Sequence, residues 1–227
     1  MKYGLIGKTL VHSYSKEIHE ALGKYTYELF SLSEEEMPAF VNARDFGGLN
    51  VTIPYKKDVI PLCDEISPLA EAIGAVNTLY WKPADAATGT PGTADTAKGR
   101  TLVGHNTDYE GFLYAAKRAG ISFAGRTVLI LGTGGTSLMA RKAAADNGAV
   151  QIYIASRKPS PQDQTAQYCA AREKCAGADV QMPGAPGTES PETASQVRIT
   201  QLTYSDLPQI AASVEVIVNT TPVGTYP

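Results

Sequence analysis

Short apolar runs alternate with stretches of helical spacing along most of the chain. Runs rich in β-branched and aromatic residues predict five strands in the first half of the sequence, at residues 2–7, 25–32, 47–53, 76–81 and 101–106. Helical spacing lies between several of them, in SKEIHEALG, EEEMPAFV, PYKKDVIPLCD and SPLAEAIG, with Ser15 and Ser33 as the predicted N-caps of the first two. This alternation predicts an α/β fold with a mainly parallel sheet.

A second series of strands and helices starts near residue 107. Its predicted elements are a helix over 107–119 capped by Thr107 or Asp108, strands at 128–131, 151–155 and 214–219, and a helix at 161–176. We therefore predict two domains, residues 1–108 and 109–227, connected by helix 107–119. Residues 83–100 and 177–196 are of low complexity without an apolar period, which predicts a hairpin loop and a mobile insertion.

The strand VLIL runs directly into a glycine turn and a helix. Gly132, Gly134 and Gly135 let the backbone turn tightly and approach a ligand, because no Cβ is in the way. The helix that starts near Thr136 directs its free N–H groups at the same place, which suits a diphosphate. This order fits the dinucleotide fingerprint, although Ser137 stands where the usual third glycine would be. The alternative is a turn that only lets a helix pack on the sheet.

The end of the next strand, QIYIA, indicates which dinucleotide is bound. In this fold an acidic residue at that point would bind the ribose 2′-hydroxyl of NAD. The chain instead has Ser156, Arg157 and Lys158. Because a guanidinium offers a forked set of donors to phosphate, these residues favour the 2′-phosphate of NADP. The alternative is that the two cations belong to a solvated turn.

Four polar motifs in the first half lie at strand ends or helix starts: HSYS, NVTIPYKK, AVNT and HNTD. Ligands of an open α/β sheet bind outside the carboxyl ends of its strands, so the motifs can meet in one crevice. Lys56 and Asp108 are the candidate acid–base pair, since a lysine in a partly closed site can exchange a proton near neutral pH. Taken singly, the motifs have plainer explanations, with Ser15 and Thr107 as helix caps, Asn77 as a turn residue and Lys56 as a surface cation.

Composition and charge narrow the classes of function. A net charge of −3 gives no electrostatic reason to expect nucleic acid or an anionic membrane as a partner. No apolar run could span a bilayer, and the N-terminus lacks the apolar core of a signal peptide, so a cytoplasmic protein is expected. The cysteines form no CxxC pair and the histidines lack metal-ligand spacing, so neither disulfides nor a metal site are expected. These residues are Cys63, Cys169, Cys175, His12, His19 and His105.

Seven motifs spread across almost the whole chain form one ordered set: HSYS, NVTIPYKK, GAVNTL, HNTDYEGF, VLILGTGGTS, ASRK and NTTPVGTYP. In this combination the chain resembles the shikimate dehydrogenases. The resemblance implies an NADP-dependent oxidoreductase that interconverts 3-dehydroshikimate and shikimate in aromatic amino-acid (chorismate) biosynthesis. It also implies an N-terminal substrate domain and a C-terminal Rossmann-like NADP-binding domain, with the active site in the cleft between them. A small-molecule substrate and a monomer or homodimer are the expected partners.

The resemblance also implies roles for individual residues. The implied substrate contacts are Ser13 and Ser15 for the carboxylate, and Thr52, Asn77 and Asp108 for the hydroxyl groups. Lys56 is similar to the catalytic lysine of the family, so with Asp108 it would assist proton transfer while hydride passes between the nicotinamide and the substrate. The implied cofactor contacts are Gly132, Gly134, Gly135, Thr136 and Ser137 for the diphosphate, Ser156, Arg157 and Lys158 for the 2′-phosphate, and Thr221, Pro222 and Val223 near the nicotinamide.

Four residues depart from the family pattern. Thr9 and Lys16 replace prolines, Glu20 replaces an amide, and Thr225 replaces a methionine. Family members continue past the position of Pro227, so the resemblance implies a Rossmann-like domain that is incomplete at its C-terminus.

Two other functions stay open beside this one. The first is a quinate/shikimate dehydrogenase that uses NAD, and the missing acidic residue after QIYIA argues against it. The second is a non-catalytic protein that binds shikimate or a nucleotide. Retention of both Lys56 and Asp108 favours an enzyme over that second alternative.

Overall fold

The computed structural model describes residues 1–10, 13–83, 99–158 and 197–223. The chain divides into two compact units, Met1–Asp108 and Tyr109–Pro227, here called unit 1 and unit 2. Each unit has its own sheet and its own buried core. The predicted helix at 161–176 and the predicted mobile insertion lie outside the described residues, as does most of the predicted hairpin loop.

Unit 1 alternates strands and helices, as its apolar pattern predicts. Its elements are β1 (Tyr3–Gly7), α1 (Ser15–Leu22), β2 (Tyr27–Ser31), α2 (Glu36–Asn42), β3 (Gly48–Val51), a 3-10 turn (Ile60–Leu62), β4 (Glu65–Ile66), α3 (Pro68–Ile73), β5 (Thr78–Pro83) and β6 (Arg100–His105). The sheet has the order β2-β1-β3-β5-β6-β4. β1 is parallel to β2 and β3, and β4 is parallel to β6, whereas β5 runs antiparallel to both of its neighbours. β5 and β6 are therefore the partner strands that the sequence predicts.

The two faces of this sheet have different neighbours. Adjacent residues of a strand point to opposite faces, so Leu5 and Ile6 of β1 enter separate clusters. Ile6 and Val51 belong to the larger core, while Leu5 and Tyr27 belong to a smaller cluster. Asn50 is the register partner of Leu5. A polar side chain of β3 therefore lies on the face of the smaller cluster.

The helix ends of unit 1 follow the predicted caps in part. Ser33 and Glu36 bond each other reciprocally at the start of α2, with N–H to side-chain oxygen distances of 2.8 and 3.2 Å. Ser67 accepts a hydrogen bond from the Ala70 N–H at the start of α3. The prediction of Ser15 as an N-cap is wrong, because Ser15 is already the first helical residue and Tyr14 precedes it without a side-chain cap bond.

The prediction of a helix over PYKKDVIPLCD is also wrong. Residues 53–59 form a continuous turn, and a single 3-10 turn follows at Ile60–Leu62. The N–H of Val59 donates to the carbonyl oxygen of Tyr55 at 3.1 Å, and both side chains are fully buried. One turn of helical type therefore produces the apolar spacing. Pro61 has no N–H and cannot extend it as a helix.

Unit 2 has a parallel sheet covered by helices. Its elements are α4 (Asp108–Arg118, which begins on the last residue of unit 1), β7 (Thr127–Leu131), α5 (Gly135–Asp146), β8 (Gln151–Ser156), β9 (Arg198–Thr203), α6 (Leu207–Ile210) and β10 (Val216–Asn219). The strand order is β10-β7-β8-β9, with every pair parallel. Ile130 and Ile152 are fully buried against Ala140 and Ala144 of α5, whose small side chains let the helix lie close to the sheet. β9 is not predicted from RITQLT because its polar residues outnumber its apolar ones.

Candidate active site

Segments around four strands meet at one edge of the unit 1 sheet. The N–H of Thr52, just after β3, donates to the carbonyl oxygen of Ile6 in β1 at 2.9 Å. The backbone of Asn77, just before β5, accepts from the Val51 N–H at 2.7 Å and donates to the His105 oxygen of β6 at 3.0 Å. This edge is where the polar motifs of the first half lie. Backbone hydrogen bonds therefore hold these segments together at this edge, independently of their side chains.

Lys56 and Asp108 form an ion pair at this edge. Lys56 Nζ donates to Asp108 Oδ2 at 2.5 Å. The two side chains are 11% and 32% exposed, so the pair is largely enclosed and remains open to solvent on the Asp108 side. The carbonyl oxygen of Lys56 accepts from the Val76 N–H at 2.7 Å, which anchors the lysine next to Asn77. The structure brings together the two residues that the sequence analysis selects for acid–base work.

The side chain of Asn106 fixes the backbone of Asp108. Its side chain is completely buried. Its Nδ2 donates to the Ala75 carbonyl oxygen at 2.9 Å, and its Oδ1 accepts from the Asp108 N–H at 3.1 Å. Asp108 is the first residue of α4, where the free N–H groups of the helix favour a carboxylate. Sequence reasoning missed this role of Asn106, because its partner Ala75 lies far away along the chain.

The Asn77 amide is oriented by its neighbours. Its Oδ1 accepts from the Thr107 N–H at 2.8 Å and from the Thr78 hydroxyl at 2.9 Å, and its Nδ2 donates to Thr107 Oγ1 at 3.1 Å. A backbone N–H can only donate, so the amide oxygen must face Thr107. The amide nitrogen therefore points away from that N–H in a defined direction. Asn77 is not simply the turn residue of the plainer explanation.

Ser13 and Ser15 form a small group at the start of α1. The Ser15 N–H donates to Ser13 Oγ at 3.2 Å. His12, the first residue of the HSYS motif, lies outside the described residues.

Thr52 packs closely on Gly7, since a Cβ at Gly7 would lie 2.7 Å from Thr52 Cγ2. The position of the Thr52 side chain therefore depends on the missing Cβ at the end of β1.

The residues that the structure describes offer neither a metal site nor a membrane-spanning helix. These described residues contain no group of three or more His, Cys, Asp or Glu side chains that could hold a metal ion. Within the same residues, no helix has the length and apolar character needed to cross a membrane.

Burial raises the pKa of the Cys63 thiol to about 12, and its Sγ donates to the Val59 carbonyl oxygen at 3.2 Å. Cys63 is therefore an unreactive structural thiol, while Cys169 and Cys175 lie outside the described residues.

The glycine turn of unit 2 has the geometry of a diphosphate cradle. Gly132 has φ +103, which L side chains rarely adopt, and a Cβ there would lie 2.9 Å from Thr220 Oγ1. Gly134 is the N-cap of α5 with φ −74, and a Cβ on it would have no atom within 4 Å among the described residues. No side chain of the described chain caps α5, so the N–H groups of Gly135 and Thr136 are available at the helix start. These features fit a bound dinucleotide.

Ser137 lies differently from the other residues of this turn. Its side chain is fully buried, and its Oγ has no hydrogen-bond partner among the described residues. It occupies the place where the fingerprint has a glycine for close packing of helix and strand. Its backbone N–H lies in the first turn of α5, which no side chain of the described residues caps.

The loop after β10 packs against the glycine turn. The Thr220 N–H and Oγ1 both donate to the Leu131 carbonyl oxygen, at 2.9 and 2.6 Å. Asn219 then orders the loop, because its Oδ1 accepts from the N–H and hydroxyl of Thr221 and its Nδ2 donates to the Val223 carbonyl oxygen. Val223 is largely exposed. The structure thus places the loop that contains Pro222 beside the predicted diphosphate site.

The residues predicted to hold the 2′-phosphate follow the neighbouring strand. Ser156 is the last residue of β8 and is buried, whereas Arg157 and Lys158 are exposed beyond it. β8 is parallel to β7, so its carboxyl end lies at the same sheet edge as the glycine turn. Two exposed cations at that position suit a phosphate that protrudes from a ribose.

Comparison with known proteins identifies the family. A family model for the shikimate dehydrogenase substrate binding domain matches residues 5–79. Shikimate dehydrogenase (NADP(+)) from Clostridium beijerinckii is 31% identical over 233 residues, which cover 99% of this chain and 69% of that protein. The chain belongs to the shikimate dehydrogenase family. The resemblance inferred from the seven motifs is therefore confirmed.

Solved structures of shikimate dehydrogenases have the same fold. Shikimate dehydrogenase 1 from Peptoclostridium difficile is 28% identical, with a TM-score of 0.72, and the match covers 100% of this chain and 70% of that one. Shikimate 5-dehydrogenase from Listeria monocytogenes, in complex with shikimate and NAD, is 26% identical, with a TM-score of 0.65 and coverage of 100% and 70%. The predicted α/β fold class is thereby confirmed.

Lys16 and Glu20, two of the departures from the shikimate dehydrogenase pattern, form an ion pair with each other. Lys16 Nζ donates to Glu20 Oε1 at 2.5 Å and to the Tyr27 carbonyl oxygen at 2.9 Å, while Glu20 Oε1 accepts from the Tyr27 N–H at 3.2 Å. The Lys16 ammonium lowers the pKa of the Glu20 carboxyl. The pair thus fastens α1 to the start of β2. Nothing in the structure explains Thr9, and Thr225 lies outside the described residues.

Proposed function

We propose that this protein interconverts 3-dehydroshikimate and shikimate with NADP as its cofactor. The observation that supports this most is the enclosed Lys56–Asp108 pair, because oxidation of an alcohol needs a group that takes up the hydroxyl proton. Membership in the shikimate dehydrogenase family supports the choice of substrate and cofactor. In this proposal unit 1 is the substrate domain and unit 2 is the dinucleotide domain.

Lys56 transfers the proton in this proposal. During oxidation of shikimate the neutral Lys56 amine takes up the hydroxyl proton and becomes an ammonium, and during reduction the ammonium gives that proton to the carbonyl oxygen of 3-dehydroshikimate. Asp108 accepts a hydrogen bond from Nζ, so it stabilises the ammonium and fixes its position. NADP, when bound, supplies the acceptor or donor for the hydride of the ring carbon. One proton and one hydride balance the two hydrogens that distinguish the alcohol from the ketone.

The other residues of the unit 1 edge hold the substrate in this proposal. The Asn77 amide nitrogen has two N–H groups, and one donates to Thr107, so the second is directed at a substrate hydroxyl. Thr52 contacts a further hydroxyl. Ser13 and Ser15 offer hydroxyl donors to the carboxylate near the start of α1, where the helix N–H groups also favour an anion.

The residues of unit 2 fit NADP. The backbone of Gly134, Gly135, Thr136 and Ser137 holds the diphosphate, since free N–H groups and open space coincide there. Gly132 provides the turn that makes this approach possible. Ser156, Arg157 and Lys158 hold the 2′-phosphate, and the loop of Thr221, Pro222 and Val223 lies near the nicotinamide.

The proposed function is tested by mixing the protein with shikimate and NADP and following the absorbance of the reduced nicotinamide. We expect reduction that depends on both compounds. Binding of shikimate and of NADP is measured separately by calorimetry on the same preparation. Binding of both without reduction would show a non-catalytic binding protein instead.

Arg157→Ala is expected to weaken the binding of NADP more than the binding of NAD. Arginine donates charge-assisted hydrogen bonds to phosphate, and NAD lacks the 2′-phosphate. Because Arg157 is exposed, we expect a loss of about tenfold in NADP affinity, the equivalent of roughly 1.4 kcal/mol. Calorimetric titration of the variant with each dinucleotide measures both affinities, so NAD serves as the control. An equal loss for the two would mean that Arg157 does not contact the 2′-phosphate.

A further inference from the structure

Tyr27 is a buried tyrosine of β2 whose hydroxyl contacts the side chain of Asn50 in β3. Only 2% of the residue is exposed, and its ring stacks on His19 with a centroid distance of 4.0 Å. Its hydroxyl donates to Asn50 Oδ1 at 2.7 Å, although β1 lies between the strands of the two residues. Tyr27 and Leu5 share a small apolar cluster, in which a phenylalanine ring would pack equally well. Packing therefore explains the ring and leaves the hydroxyl to be explained.

A directed series of hydrogen bonds continues from Asn50. Asn50 and Thr78 are register partners in β3 and β5, and Asn50 Nδ2 lies 3.4 Å from Thr78 Oγ1. The Thr78 hydroxyl donates in turn to Asn77 Oδ1 at 2.9 Å. Every hydrogen in the series points the same way, from Tyr27 to Asn50, to Thr78 and to Asn77. The Tyr27 hydroxyl at one end and the Thr107 N–H at the other end both favour this direction.

We propose that Tyr27 is a positioning residue for substrate binding, which acts through Asn50 and Thr78 on the orientation of the Asn77 amide. The inference rests on the proposed function, because that function assigns Asn77 to a substrate hydroxyl. Without the tyrosine hydroxyl, the Asn50 amide is free to turn its oxygen toward Thr78. The Thr78 hydroxyl would then donate to Asn50, and Asn77 Oδ1 would lose one of its donors.

Two features of the surroundings determine the size of the effect. Burial raises the pKa of the Tyr27 hydroxyl, so it remains a donor throughout the neutral range of pH. The Thr107 N–H still holds Asn77 Oδ1 at 2.8 Å when the series is broken. Tyr27 therefore refines the orientation of Asn77 and does not determine it alone. A moderate loss of substrate affinity is the expected result.

The test is Tyr27→Phe in the full chain, which keeps the ring and removes only the hydroxyl. We expect shikimate to bind about fivefold more weakly by calorimetry, the equivalent of one net hydrogen bond, while NADP affinity is unchanged. In turnover the KM for shikimate should rise by the same factor with little change in kcat. The melting temperature is recorded for each variant so that affinity is compared only among folded proteins.

Trp81→Phe is the matched control. It also removes one aromatic donor from unit 1, because Trp81 Nε1 donates to the Phe46 carbonyl oxygen at 2.8 Å, at a site outside the series. We expect it to lower the melting temperature and leave shikimate affinity unchanged. An equal loss of shikimate affinity in both variants would reduce Tyr27 to a general structural role.

A double-mutant cycle tests the route of the effect. In an Asn50→Ala background the hydroxyl of Tyr27 has lost its acceptor, so Tyr27→Phe should cause no further loss of shikimate affinity. A full fivefold loss in that background would show that Tyr27 does not act through Asn50. If the unaltered chain does not bind shikimate, the proposed function itself is wrong. If it binds and Tyr27→Phe binds equally well, only the positioning role is wrong.

Discussion

Lys56→Ala is expected to abolish most of the turnover of shikimate with NADP. The substitution removes the only group in the proposal that takes the hydroxyl proton, and general acid–base catalysis contributes about 10²–10⁴-fold to a rate. We therefore expect kcat to fall by roughly that factor. The fold should persist, because the ion pair is partly open to solvent and Asp108 remains hydrated when its partner is lost. Steady-state rates and the melting temperature of the variant measure the two effects.

Lys57→Ala is the control for this substitution. Lys57 is the next residue along the chain, carries the same charge, and is exposed. Its removal changes the net charge by the same amount as Lys56→Ala but leaves the proposed proton path intact. We expect near-normal turnover. If Lys56→Ala kept near-normal turnover, or if both variants lost activity alike, the assignment of Lys56 as the catalytic group would be wrong.

The parts of the site that could be predicted are those built from neighbouring residues. The glycine turn follows from one short stretch, since the strand, the turn and the start of α5 are consecutive in sequence. Lys56 and Asp108 could be selected because each follows a strand of an open sheet, and ligands bind at that edge. Their contact at 2.5 Å required only that the two strand ends be on the same side.

The parts that could not be predicted depend on register between distant strands. Asn50 bonds Thr78 because the two residues face each other across an antiparallel pair, and Tyr27 reaches Asn50 across β1. A shift of one residue would turn either side chain to the opposite face of the sheet, and no local pattern specifies that register. The buried role of Asn106 has the same origin. Sequence motifs therefore predict which segments form a site. The register of the sheet determines which neighbouring side chains orient the residues of that site.

Gly132→Ala and Gly134→Ala are expected to have opposite effects on stability. Alanine at Gly132 would have to adopt φ +103 with its Cβ 2.9 Å from Thr220 Oγ1, so strain and collision both act on the folded state. We expect a loss of about 1–3 kcal/mol in the free energy of unfolding. Alanine at Gly134 keeps φ −74, and its Cβ has open space among the described residues. Denaturant unfolding should show that this second variant is at least as stable as the unaltered chain.

Gly134→Ala should instead impair the binding of NADP. The open space above Gly134 is where the proposed diphosphate approaches the backbone, and a methyl group there would hold the phosphates away from the N–H groups of α5. A displacement of that kind costs roughly 1–3 kcal/mol, so we expect NADP affinity to fall by about tenfold or more. Shikimate affinity, which depends on unit 1 in the proposal, is the internal control and should not change. Undiminished NADP binding by Gly134→Ala would mean that the diphosphate lies elsewhere, because a stable variant with a filled turn leaves no room for it against the backbone.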